Sequence, residues 1–138
     1  GVVFVNFYSG FLDSTYTRKQ KQYNDRHKAE LSSLATKYNS RARALEEINT
    51  KYRQEIEDMR APLSLLIDHI DHMVKLVGAD HVGLGADYDG AESYPKGLDD
   101  VSKYPLITEA LLQRGYSGKD VKKILGGNFI RLLLEAKR

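Results

Sequence analysis

Cysteine is missing from the 138 residues, which excludes a disulfide framework, a thiolate metal site and a cysteine nucleophile. A surplus of either charge is missing as well: 21 Lys and Arg stand against 19 Asp and Glu, a net charge of +2. That balance makes no electrostatic case for nucleic acid or an anionic membrane as a partner. No apolar run approaches the roughly 20 residues that span a bilayer. Internal repeats and low-complexity tracts are absent. Nothing resembles a Ser-His-Asp set, a Walker phosphate loop or a dinucleotide fingerprint. The first residues, Gly1-Val2-Val3-Phe4-Val5, stand inside an apolar run with no initiator Met, signal peptide or polar lead-in. That opening leads us to expect a segment of a longer protein. The length and the apolar and charged fractions suit one domain of ordinary composition.

What is there begins with two strand-like runs. Val2 to Tyr8 is nearly all apolar, β-branched or aromatic and stops at Ser9-Gly10, the pattern of a strand buried on both faces of a parallel sheet. The second run is His81-Val82-Gly83-Leu84-Gly85-Ala86-Asp87, whose glycines permit close approach of another chain segment. Between the runs, Tyr16 to Arg60 contains no Gly or Pro. Leu31, Leu34, Tyr38, Leu45, Ile48, Tyr52 and Met59 recur at three- and four-residue steps, with Arg41 and Glu55 filling the gaps. This seam predicts a helical hairpin or a long helix lying on a partner, with a break near Lys37 to Ser40. Its charges read as a solvated face.

A better-marked helix follows, opened by Pro62 and closed by Gly78, with Leu65, Leu66, Ile70, Met73, Val74 and Val77 on one face. Strand, helices and strand together describe a βαβ-type connection with an inserted helical arm. Beyond the second strand a loop runs from Tyr88 to Asp100. Pro105 opens a short helix ended by Gly115, Ser117 and Asp120 resemble a capping box for the next, and Gly126-Gly127-Asn128 precedes a last apolar helix, Phe129 to Ala136. Two parallel strands leave open edges that need partners, so the chain should belong to something larger.

Asp87 is the main candidate for chemistry. It stands at the C-terminal end of the second strand, where barrel enzymes carry catalytic groups, and a carboxylate there can ligate a metal or move a proton. The competing reading is a turn residue, since Asp89-Gly90 is a strong turn signal. A calcium loop is excluded, because Ala91 and Glu92 fall where the EF-hand needs an oxygen ligand and a glycine. His69 and His72 could face one way on a helix, but two half-exposed polar residues explain them better than a metal pair.

Several stretches in order resemble the membrane (renal) dipeptidase family of zinc peptidases. They are Val3-Phe4-Val5-Asn6-Phe7-Tyr8, Leu66 to His72, His81 to Gly90, Gly97-Leu98-Asp99-Asp100-Val101-Ser102-Lys103-Tyr104-Pro105, and Gly126-Gly127-Asn128-Phe129. The resemblance implies an α/β fold: residues 1–138 as the C-terminal part of a (β/α)₈ TIM-type barrel of the metal-dependent hydrolase kind, with 13–61 as a long inserted helical arm. It implies a metallopeptidase that hydrolyses dipeptides with two zinc ions. Asp87 would then be the catalytic proton-transfer group, and Phe11 and Gly90 would bind substrate. The family's zinc ligands and a substrate-binding arginine match nothing in this chain and would lie upstream of Val3. The implied partners are therefore a dipeptide and the upstream part of the same barrel, with no nucleic acid. The 138 residues alone would be inactive. The arm could cover the active-site mouth or pack on a second subunit in a homodimer. Two other readings stay open: a non-catalytic helical interaction module, and a barrel relative that has lost hydrolysis.

Overall fold

The computed structural model describes residues 1–137 and divides into two compact units. The first unit comprises residues 1–13 and 61–138, and the second Ser14–Arg60, which stands between those two parts in sequence.

The first unit is built on two strands, β1 (Val3–Asn6) and β2 (Val82–Gly85). They pair in parallel, Val3 against Val82 and Asn6 against Gly85. Parallel pairing requires a long crossover, and it brings the C-terminal ends of both strands to the same edge. Gly83 is the point of close approach: a Cβ there would lie 2.7 Å from the Phe4 ring. The strands are less covered than their sequence suggests. Val5 and Val82 are buried, but Val3 is 49% and Phe4 40% exposed. The expectation of a strand buried on both faces is therefore met only in part: Val5 is buried, whereas Phe4 stays 40% exposed although its ring packs edge-on against Phe129 at 5.7 Å.

Helix α1 (Ser9–Leu12) is a single turn after β1; α5 (Leu63–Val77) packs against both strands, and the segment from Lys123 onward packs against β2. Leu66, Ile67 and Ile70 of α5 are buried with Val5, Phe7 and Val82. Ile67 replaces Val77 on the expected apolar face, for Val77 at the helix end is 44% exposed. Pro62 precedes the first helical residue, and Gly78 follows the last with φ 83°. The loop beyond β2 leads through buried Leu98 to a 3₁₀ turn (Val101–Lys103), which Asp100 caps by accepting from Ser102 N at 2.7 Å.

Helices α6 (Tyr104–Gln113) and α7 (Gly118–Lys122) follow. The predicted cap of α7 is present: Asp120 N donates to Ser117 Oγ at 3.1 Å, and that hydroxyl donates to Asp120 Oδ2 at 2.8 Å. A wide π turn (Lys123–Gly127) leads into α8 (Asn128–Ala136). Asn128 is buried, and its Nδ2 donates to the carbonyls of Ala79 at 2.7 Å and Val82 at 2.8 Å. The Gly-Gly-Asn-Phe stretch thus has a structural use, because one amide satisfies two carbonyls flanking the start of β2. The rest of α8 is amphipathic but uncovered: Phe129, Ile130, Leu133 and Leu134 are all exposed.

The second unit contains α2 (Tyr16–Tyr38), α3 (Arg41–Lys51) and α4 (Arg53–Met59). The predicted break is present. Asn39 adopts φ 46° after α2, and Ser40 caps α3 by accepting from Arg43 N at 3.3 Å. Beyond the break the buried face of α3 runs through Ala44 and Ile48, one turn apart, so the seam misplaces one residue. Ala44 is buried in place of Leu45, which is 36% exposed. Glu55, a gap in the apolar seam, accepts from Arg26 at 2.6 Å, and Glu30 accepts from Lys51 at 2.6 Å and from Tyr52 at 2.7 Å.

Candidate active site

The C-terminal edge of the β1–β2 pair carries the site. Because the strands are parallel, Asn6 at the end of β1 and the residues following each strand meet there: Phe7 to Phe11 after β1, and Ala86 to Glu92 after β2. A cavity of about 310 Å³ at this edge is lined by Tyr8, Phe11, Asp87, Gly90, Ala91 and Glu92. It brings together Phe11, Asp87 and Gly90, the three residues that the family resemblance marked.

Asp87 serves with both its main chain and its side chain. Its φ is 58°, in the left-handed region that Asp and Asn tolerate better than most residues. Its carbonyl accepts from Gly90 N at 3.1 Å, Ala91 N at 3.0 Å and Tyr94 Oη at 3.0 Å. Three donors on one oxygen hold the turn, so the turn-residue reading describes the backbone. The carboxylate is left to line the cavity. Asn6 Nδ2 approaches Asp87 Oδ2 at 3.5 Å, a long and weak contact. The Asn6 amide is oriented by its own oxygen, which accepts from Tyr8 N at 2.7 Å. Gly90 packs beneath the Asp87 carboxylate, with no space for a Cβ.

The walls are fixed from behind. Tyr94 Oη donates to the Tyr88 carbonyl as well as to that of Asp87. Desolvation first, then the carboxylates of Asp87 and Asp89, pushes the Tyr94 hydroxyl up from its ordinary value, so it stays a donor. Ser9 and Ser93 are both buried, and Ser93 Oγ donates to Ser9 Oγ at 2.9 Å. Ser9 Oγ also accepts from Ala61 N at 3.2 Å, and Ser9 N donates to the Ser93 carbonyl at 2.9 Å. The loop carrying Gly90 and Glu92 is therefore anchored to the start of α1. Tyr8 and Phe11 stand ring edge to ring face, 5.1 Å between centroids, and Phe11 is 69% exposed.

Sequence reasoning missed Tyr8, Asn6 and Glu92 as neighbours of Asp87. The available signal was the parallel reading of the two runs, since it sends the residues after both strands to one edge. The histidines have other duties. His69 Nε2 donates to the Leu12 carbonyl at 3.1 Å, and His81 Nδ1 donates to that of Gly1 at 2.9 Å. Among the described residues no group of three or more His, Asp or Glu side chains is arranged to hold a metal ion. The residues present do not fit a zinc site.

The chain is thus an α/β chain with an Asp at the end of a parallel strand, beside a cavity at that edge. The profile of the membrane dipeptidase family, peptidase family M19, matches residues 1–138, and the chain belongs to that family. It is 47% identical over 78 residues to dipeptidase tcpJ of Claviceps purpurea (strain 20.1), covering 56% of this chain and 18% of that protein. It is 40% identical over 81 residues to dipeptidase 3 of Macaca fascicularis, covering 59% of this chain and 17% of that protein. The chain thus spans less than a fifth of these relatives. Among solved structures, the probable dipeptidase PvdM from Pseudomonas aeruginosa superposes with a TM-score of 0.57 at 28% identity, covering 95% of this chain and 36% of that one. The dipeptidase AC, a metallo peptidase of family M19, gives 0.50 at 34% identity, covering 54% and 21%.

Proposed function

We propose that this chain is the C-terminal part of a dipeptide-hydrolysing (β/α)₈ barrel, supplying its last strands and its proton-transfer aspartate. Family membership supports the reaction class. The observation that carries the residue assignment is the cavity lined jointly by Phe11, Asp87 and Gly90. The exposed apolar groups Val3, Phe4, Phe129, Ile130, Leu133 and Leu134 support a larger barrel, since a monomer seldom leaves so many open to water. In this reading residues 13–61 form an arm inserted between two barrel strands.

Asp87 is the general base and then the general acid. Its carboxylate accepts a proton from the attacking water as the oxygen bonds to the peptide carbonyl carbon. It returns that proton to the amine nitrogen as the carbon–nitrogen bond breaks. The three donors on its carbonyl and the absent side chain at Gly90 hold the carboxylate over the cavity, which is the positioning that proton transfer needs. Phe11 lines the pocket as a hydrophobic wall for substrate. Zinc, two ions by the family resemblance, belongs to residues outside this chain.

The test is release of free amino acids from neutral dipeptides by the natural full-length protein loaded with zinc. Hydrolysis abolished by Asp87→Asn, with zinc content retained, is the expected result. Failure to cleave any dipeptide overturns the reading.

A further inference from the structure

We propose that Asn6 is a positioning residue for the proton transfer: it holds one oxygen of the Asp87 carboxylate, Oδ2, and leaves Oδ1 to take up and return the proton. The inference rests on the dipeptidase reading and deepens it. The parallel register sets Asn6, the last residue of β1, beside Gly85, two positions before Asp87. The Asn6 amide has a fixed sense. Its oxygen accepts from Tyr8 N at 2.7 Å, so the end that faces Asp87 is the donor Nδ2. Among the described residues no other side chain donates to that carboxylate, for Gly90 N, Ala91 N and Tyr94 Oη bond the main-chain carbonyl instead. The two carboxylate oxygens are therefore unlike. Asn6 Nδ2 stands 3.5 Å from Oδ2, whereas Oδ1 lies over Gly90, a wall of the cavity, 2.4 Å from where a Cβ would be. A donor on Oδ2 makes that oxygen the poorer base and opposes rotation of the carboxylate, so the proton goes to Oδ1. At 3.5 Å the bond is long, as acid–base contacts in unliganded enzymes often are, and it tightens when substrate is bound.

The experiment makes two substitutions in the natural full-length zinc-loaded protein. For each, kcat and KM on neutral dipeptides, zinc content and a thermal melt are measured. Asn6→Asp keeps an acceptor for Tyr8 N but has no donor for Asp87. Asn6→Ala has neither and adds no charge. Both should lower kcat about tenfold, the contribution of one hydrogen bond to a charged group, with zinc retained. A role confined to Tyr8 predicts otherwise: Asn6→Asp would match the native protein, and Asn6→Ala would act through the cavity wall, on KM. Repulsion from the new carboxylate would lower kcat in Asn6→Asp alone. Native kcat in either variant, or a loss carried by KM alone, therefore overturns the proposal while leaving dipeptide hydrolysis standing. If the unsubstituted protein cleaves no dipeptide, the dipeptidase reading itself fails and this inference falls with it.

Discussion

Asp87 occupies the space that a side chain on Gly90 would need: a Cβ there would stand 2.4 Å from Asp87 Oδ1 and 3.1 Å from its Cγ. The absent methyl group and the position of the carboxylate are one feature. Gly90, which the resemblance marks as a substrate binder and which lines the cavity, therefore also bears on where the Asp87 carboxylate can stand.

Gly90→Ala should displace the Asp87 carboxylate while leaving the fold intact, because the obstructing atoms end a short side chain. A shift of about 1 Å costs turnover on the order of 100-fold. Steady-state kinetics and a thermal melt, run together, check this. Unchanged kcat would mean that the site tolerates the carboxylate elsewhere.

Asp87→Asn should lower kcat by roughly 10²- to 10⁴-fold, the usual contribution of a positioned acid–base group. Stability should barely change, since Asn adopts a φ of 58° about as readily as Asp. Asp87→Ala adds backbone strain to the lost chemistry and should melt at a lower temperature than Asp87→Asn. Equal melting of the two variants would count against the strain argument.

Asn128→Ala removes both donors from the Ala79 and Val82 carbonyls, at 2.7 and 2.8 Å in the native fold. Unsatisfied buried acceptors make this a loss of about 2 kcal/mol, measurable by urea denaturation. The start of β2 should also exchange its amide hydrogens faster. A stability loss below about 0.5 kcal/mol would show that the two bonds are dispensable.

Tyr88 presents the opposite case, because its hydroxyl is buried without a hydrogen-bond partner among the described residues. Tyr88→Phe should therefore stabilise the protein, by about 1 kcal/mol. Burial first, and then Tyr104 and the carboxylates of Asp100 and Asp99, pushes the Tyr88 phenol from 10.0 up to about 12. Tyr104 and Tyr116 are raised as well. The folded chain holds these protons more tightly than the unfolded one. Their contribution to stability is thus complete below pH 10 and is lost as pH rises towards about 12. Melting temperature followed across that interval should fall, and less steeply in Tyr88→Phe. A flat profile would refute the assignment.

The sequence by itself determined the local elements and the family. Ser117 and Asp120 cap a helix, Asn39-Ser40 breaks one, and the two apolar runs form strands. Caps, breaks and short apolar runs act between residues a few positions apart, so they can be read along the chain. The ordered stretches from Val3 to Phe129 carried the resemblance that the family profile bears out. Tertiary structure alone decided the rest. Packing of α3 put Ala44 inside with Ile48 and left Leu45 outside. Only the parallel register of β1 and β2 sets Tyr8 and Phe11 beside Asp87, Gly90 and Glu92. Those residues lie far apart in the chain, and it is the sheet, held by contacts among distant core residues, that brings them to one edge.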